Sequence, residues 1–87
     1  MISHVRPSFW RAYDALDPRV REVARRVYQL FAENPGHPSL RFKKLAGHER
    51  VWSVRINDSF RAIGERDGDT VVWFWIGSHN DFDKLFE

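Results

Sequence analysis

The sequence contains no cysteine, which removes disulfides, thiolate nucleophiles and every cysteine-based zinc or iron–sulfur site. No apolar run approaches the ~18 residues needed to cross a bilayer, and Met1-Ile2-Ser3-His4-Val5-Arg6-Pro7 lacks the apolar centre of a signal peptide. A cytoplasmic location without a membrane partner is expected. Glycine-rich phosphate loops, serine nucleophile elbows and dinucleotide fingerprints are also missing, so no cofactor is expected. His4, His37, His48 and His79 form no helical pair and have no carboxylate at zinc spacing, so no metal is expected either. Neither sign of charge dominates: the net charge is only +2, weak evidence for a nucleic-acid partner.

What is present is the composition of one small folded domain spanning residues 1–87, 43% hydrophobic and 30% charged. Seven Phe, four Trp and two Tyr supply the bulk that so short a chain needs for a core. The charge is unevenly spread. Residues 37–66 carry a net +4, with Arg41, Lys43, Lys44, Arg50, Arg55, Arg61 and Arg66, whereas residues 67–87 carry a net −4. Such a split lets one surface be far more basic than the total.

Phe9, Trp10, Tyr13 and Leu16 fall at helical spacing, and Ser8 is a candidate cap. Asp17-Pro18 signals a second helix, in which Val20, Val23, Ala24, Val27, Leu30 and Phe31 form one stripe and Arg21, Glu22, Arg25, Arg26 and Gln29 the other. Asn34-Pro35-Gly36-His37-Pro38 ends it. After a short basic stretch the period changes to two: Trp52, Val54 and Ile56 alternate with Ser53, Arg55 and Asn57. Asn57-Asp58-Ser59 reads as a turn into a strand from Phe60 to Arg66, and Asp67-Gly68-Asp69 as a turn into Thr70 to Ile76. Val71-Val72-Trp73-Phe74-Trp75-Ile76 is apolar on both faces, so which rings meet the helices depends on register. Gly77-Ser78 then leads into a short helix beginning at His79. The expected fold is α+β, with two N-terminal helices on one face of a small antiparallel sheet and a short C-terminal helix.

If Trp52, Val54 and Ile56 face the helices, Arg55 projects to the other side, and Arg61 joins it from the next strand. Two guanidiniums on an open sheet face need anions. Pairing with Glu65, Asp58 or the acidic C-terminal helix satisfies them structurally, and an RNA backbone satisfies them functionally; spacing alone leaves both readings open. His79 equally reads as a solvated residue of a helix start or as an acid–base group.

The segments His37-Pro38-Ser39-Leu40-Arg41-Phe42-Lys43-Lys44-Leu45, Trp52-Ser53-Val54-Arg55-Ile56, Phe60-Arg61-Ala62-Ile63 and Trp73-Phe74-Trp75-Ile76-Gly77-Ser78-His79-Asn80, in this order, resemble the RelE/ParE toxin superfamily over nearly the whole chain. The resemblance implies the toxin of a type II toxin–antitoxin pair, neutralised by a cognate antitoxin. RelE-like members cut mRNA in the ribosomal A site without a metal, whereas ParE-like members poison DNA gyrase. It further implies that Arg55, Arg61 and His79 are catalytic, with Arg41, Lys43, Lys44 and Phe82 contacting RNA. Ser53 stands where RelE carries a second lysine, and the C-terminal tyrosine of several relatives has no tyrosine counterpart. A gyrase inhibitor or a catalytically inert antitoxin-binding relative is the alternative. His37 and His48, within the basic stretch, are candidates for a general base.

Overall fold

A computed structural model describes residues 1–86, with side chains through Leu85. Its elements are β1 (Ile2–Val5), α1 (Pro7–Asp14), α2 (Pro18–Glu33), a 3₁₀ turn (Pro38–Leu40), β2 (Lys43–Lys44), β3 (Val51–Arg55), β4 (Phe60–Asp67), β5 (Thr70–Ser78) and α3 (His79–Phe86). The sheet order is β1-β5-β4-β3-β2.

Local chemistry accounts for the helix ends. Asp17 accepts from the Arg19 amide at 2.8 Å and caps α2, with Pro18 at its first position. Ser8 is not the cap of α1. The helix begins one residue earlier at Pro7, whose missing N–H costs nothing there, and the Ser8 hydroxyl instead donates to the Phe74 carbonyl at 2.8 Å, tying α1 to β5.

β3, β4 and β5 form the expected antiparallel meander. The sheet is nonetheless mixed, because Ile2–Val5 adds an edge strand parallel to β5. Its partner lies some seventy residues away, so no local turn or alternation announces it. An irregularity between Ile63 and Gly64 fixes the register of β5: Ile63 pairs with Trp75 but Gly64 with Trp73, leaving Phe74 as an extra residue. Trp73 and Ile76, three apart, therefore both reach the core on the helix side.

That core joins Ala24 and Phe31 of α2 to Val54, Ile56, Ala62, Val71, Trp73 and Ile76, with Leu40 of the 3₁₀ turn. Phe31 sits edge-on to Phe42 at 4.9 Å and to Trp73 at 5.4 Å between ring centres. Trp52 packs on Phe42 at 4.8 Å. The face away from α1 and α2 is not bare either. Ile63, on that side by alternation, has no exposed surface, and its row neighbours are Ser53, also buried, and Trp75. The Trp75 ring lies over Gly77, where a Cβ would meet ring carbons at 2.4 and 2.6 Å. Among the described residues, no helix is long and apolar enough to cross a membrane.

Candidate active site

Strand register brings three of the expected residues to one end of the sheet. Arg55, the last residue of β3, is the direct partner of Arg61 in β4, and Arg61 is in turn the partner of Gly77 in β5. His79 follows two residues later at the start of α3, and its amide donates to the Ser59 carbonyl at 2.7 Å. This bond fastens α3 to the β3–β4 turn. The turn is itself rigidified, because Asn57 Oδ1 accepts from the amides of Ser59 at 2.8 Å and Phe60 at 3.0 Å.

The two guanidiniums are satisfied differently. Arg55 Nη2 pairs with Asp58 Oδ1 at 2.5 Å, meeting the structural reading of its charge. Arg61 Nη1 donates to backbone carbonyls, Asn57 at 2.7 Å and Phe60 at 3.0 Å. Burial lowers the Arg61 pKa first, the positive charges of Arg55 and Arg41 lower it further, and Asp58 opposes them. The Asp58 carboxyl is held below its ordinary value by the hydrogen bond and charge of Arg55, and more weakly by Arg41 and Arg61. Arg41, Arg55 and Arg61 thus form one electrostatic cluster around the Asp58 carboxylate.

Arg41 enters this cluster from a left-handed backbone conformation, φ 45° and ψ 45°, at the end of the 3₁₀ turn. A non-glycine residue there is strained and persists only when its surroundings fix it. The lysines separate. Lys43 pairs with Ser53 and shares the face of Arg55, whereas Lys44 pairs with Trp52 and falls on the opposite face. Arg66 is engaged elsewhere: its guanidinium lies 4.5 Å from the Trp52 ring centre, and its Nε donates to the Gly68 carbonyl at 2.9 Å.

His79 is half-exposed, with Nε2 3.6 Å from Asp83 Oδ2 one helical turn on. Its ring stacks on Phe82 at 6.1 Å with an interplanar angle of 15°. Ser78 Oγ accepts from the Asp81 amide at 3.1 Å and caps α3. His37 has a structural task, since its Nδ1 accepts from the Ser39 amide at 3.2 Å; His48 lies in the turn between β2 and β3. Asp58 was expected as an ion-pair partner of the arginines and not as a site member, and Trp75 over Gly77 was not expected. A turn aspartate three residues after a strand arginine was the available signal for the first. The second depends on a bulge that no local pattern displays.

Solved structures of RelE-type toxins match this chain in fold. A chain of the RelB-RelE antitoxin-toxin complex from Methanococcus jannaschii superposes with a TM-score of 0.78 at 14% identity, covering 97% of this chain and 99% of that one. YafQ from Escherichia coli BL21(DE3) gives 0.73 at 9% identity, covering 92% and 94%. A chain of the RelBE2 toxin-antitoxin complex from Mycobacterium tuberculosis gives 0.71 at 17%, covering 90% and 96%. These likenesses define the fold. The profile of the ParE-like toxin domain matches residues 18–84, and the chain belongs to that family, within the RelE/ParE superfamily of toxin–antitoxin toxins. No curated protein matches the sequence.

Proposed function

We propose that this toxin is a ribosome-dependent mRNA endonuclease working without a metal. The observation that carries the reading is the register pairing of Arg55 with Arg61 beside the His79 helix start. Arg61 and Arg55 bind the scissile phosphate, with Arg41 and Lys43 along the RNA backbone. Lys44, on the opposite face of β2, is left out of this interface. Phe82, stacked on His79, offers a platform to a base.

The chemistry uses the RNA itself. The 2′-hydroxyl gives up its proton to water as its oxygen attacks the adjacent phosphorus, forming one P–O bond as the bond to the 5′-oxygen breaks, and the products are a 2′,3′-cyclic phosphate and a 5′-hydroxyl. The arginines stabilise the extra negative charge of the crowded phosphorus. His79 protonates the departing 5′-oxygen, since imidazole is the side chain whose ordinary titration lies nearest neutral pH. The partner that silences the toxin is a cognate antitoxin, as in the RelB-RelE and RelBE2 complexes. A cavity of about 410 Å³ between α1, α2 and the sheet, lined by Phe9, Tyr13, Val27 and Phe31 with Trp10 and Tyr28 exposed beside it, offers that partner an apolar surface.

The ParE-like family match and the acidic C-terminal segment favour a second reading, a gyrase inhibitor acting by protein contact. Induction in bacteria followed by mapping of transcript 5′ ends separates the two. Codon-phased cuts support the nuclease; intact transcripts with inhibited supercoiling support the gyrase target and overturn it.

A further inference from the structure

Asp58 occupies an unusual position in this cluster. Its carboxylate pairs with Arg55, yet the Asp58 side chain is 95% exposed while that of Arg55 is 27% exposed. The cation is therefore largely held by the sheet, and the anion only by its one bond. Arg55 and Arg61 are direct cross-strand partners, an arrangement that like charges disfavour, so the pair needs an anion even when no ligand is bound. The turn supplies one. Asn57 fixes the backbone that follows Asp58 through the Ser59 and Phe60 amides, leaving the Asp58 side chain directed at Arg55 while it remains open to solvent.

We propose that Asp58 is a built-in competitor for phosphate: its carboxylate neutralises Arg55 in the free protein and is displaced when a phosphodiester binds across Arg55 and Arg61. This rests on the phosphate-binding role given above to those two arginines. The exchange preserves charge at the site, one anion leaving as another arrives, and it lowers affinity for every phosphate that must displace the carboxylate from Arg55. Asp58 is thereby an affinity-setting residue. It does not touch the reacting atoms. The lowered Asp58 pKa, caused chiefly by Arg55, keeps the competitor charged through the neutral range.

The test compares wild type, Asp58→Asn and Asp58→Glu, each with and without Arg55→Gln, using two probes. One is inorganic phosphate, read as the rise in melting temperature; the other is a 2′-O-methyl single-stranded oligonucleotide that cannot be cleaved, read by fluorescence anisotropy. Asp58→Asn is expected to bind the oligonucleotide about three- to tenfold more tightly than wild type, the scale of one partly exposed charge-assisted contact. Phosphate should also raise its melting temperature more than that of wild type. Asp58→Glu, which restores the carboxylate, should return both readouts toward wild type. In the Arg55→Gln background the gain from Asp58→Asn should vanish, which separates a direct exchange from a change in net charge. An equal gain with and without Arg55, or no gain for either probe, overturns the proposal. A larger phosphate response in Asp58→Asn with no oligonucleotide binding by any variant upholds the competitor and overturns the RNA reading instead.

Discussion

Arg55 and Arg61 owe their opposition to strand register, and their tolerance of it to Asp58 and to the carbonyls of Asn57 and Phe60. The Asp58 interaction has a pH signature. Because its folded pKa lies below the ordinary value near ~3.9, its contribution to stability is present above that value and is lost as pH falls through the lower folded pKa. The stability difference between wild type and Asp58→Asn should thus be constant from about pH 5 to 7 and shrink below about pH 4 in denaturant titrations; a difference that persists undiminished at pH 2 would contradict the pairing. Gly77 makes a second prediction. An alanine there drives a methyl group into the Trp75 ring, which must move off the outer face, so Gly77→Ala should cost about 1–3 kcal/mol in chemical denaturation. The arginine pair was legible in the sequence because alternation with Trp52, Val54 and Ile56 sets the face of Arg55, and the Asn57-Asp58-Ser59 turn sets its partner. So was Asp58 as a partner for the pair, three residues after Arg55; the packing of Trp75 over Gly77 was not, since it depends on the irregularity that makes Phe74 an extra residue.

At the scale of elements, α2 is held by its buried stripe, and Phe31 is its anchor, 2% exposed and edge-on to rings from both the sheet and the basic stretch. Phe31→Ala should destabilise by about 3–5 kcal/mol, a large share of the total of a domain this size. A loss below about 1 kcal/mol would mean that α2 is not anchored through this ring. The meander and both N-terminal helices could be read directly: period-two alternation marks β3, Asp67-Gly68-Asp69 marks the β4–β5 turn, and Asp17-Pro18 marks the start of α2. β1 could not, because four residues without flanking turns take their structure from the distant half of β5. The core face of β5 was ambiguous for a related reason. The extra residue Phe74 puts Trp73 and Ile76 on one side, which neither simple register of the strand allows.

The whole molecule carries only +2, and its cations act locally, with Arg41, Arg55 and Arg61 at one end of the sheet and Arg66 committed to the Trp52 and Phe42 rings. Binding of free RNA should therefore be modest and steeply dependent on salt. With three phosphate contacts the logarithm of affinity should fall against that of salt with a slope of about −2, and Arg41→Ala should reduce the slope by about 0.7. An unchanged slope would remove Arg41 from the interface. The proposed function depends on a phosphodiester reacting at the end of the sheet that carries Arg61, Arg55 and the His79 helix start. The most direct measurement is cleavage of mRNA on purified, programmed ribosomes, with the chemistry of the new ends determined, for wild type and for folded Arg61→Ala and His79→Ala variants. The account predicts 2′,3′-cyclic phosphate and 5′-hydroxyl ends from wild type, and rates reduced by about 10²-fold or more in each variant. Undiminished cutting by both variants, or no cutting by wild type, would contradict it.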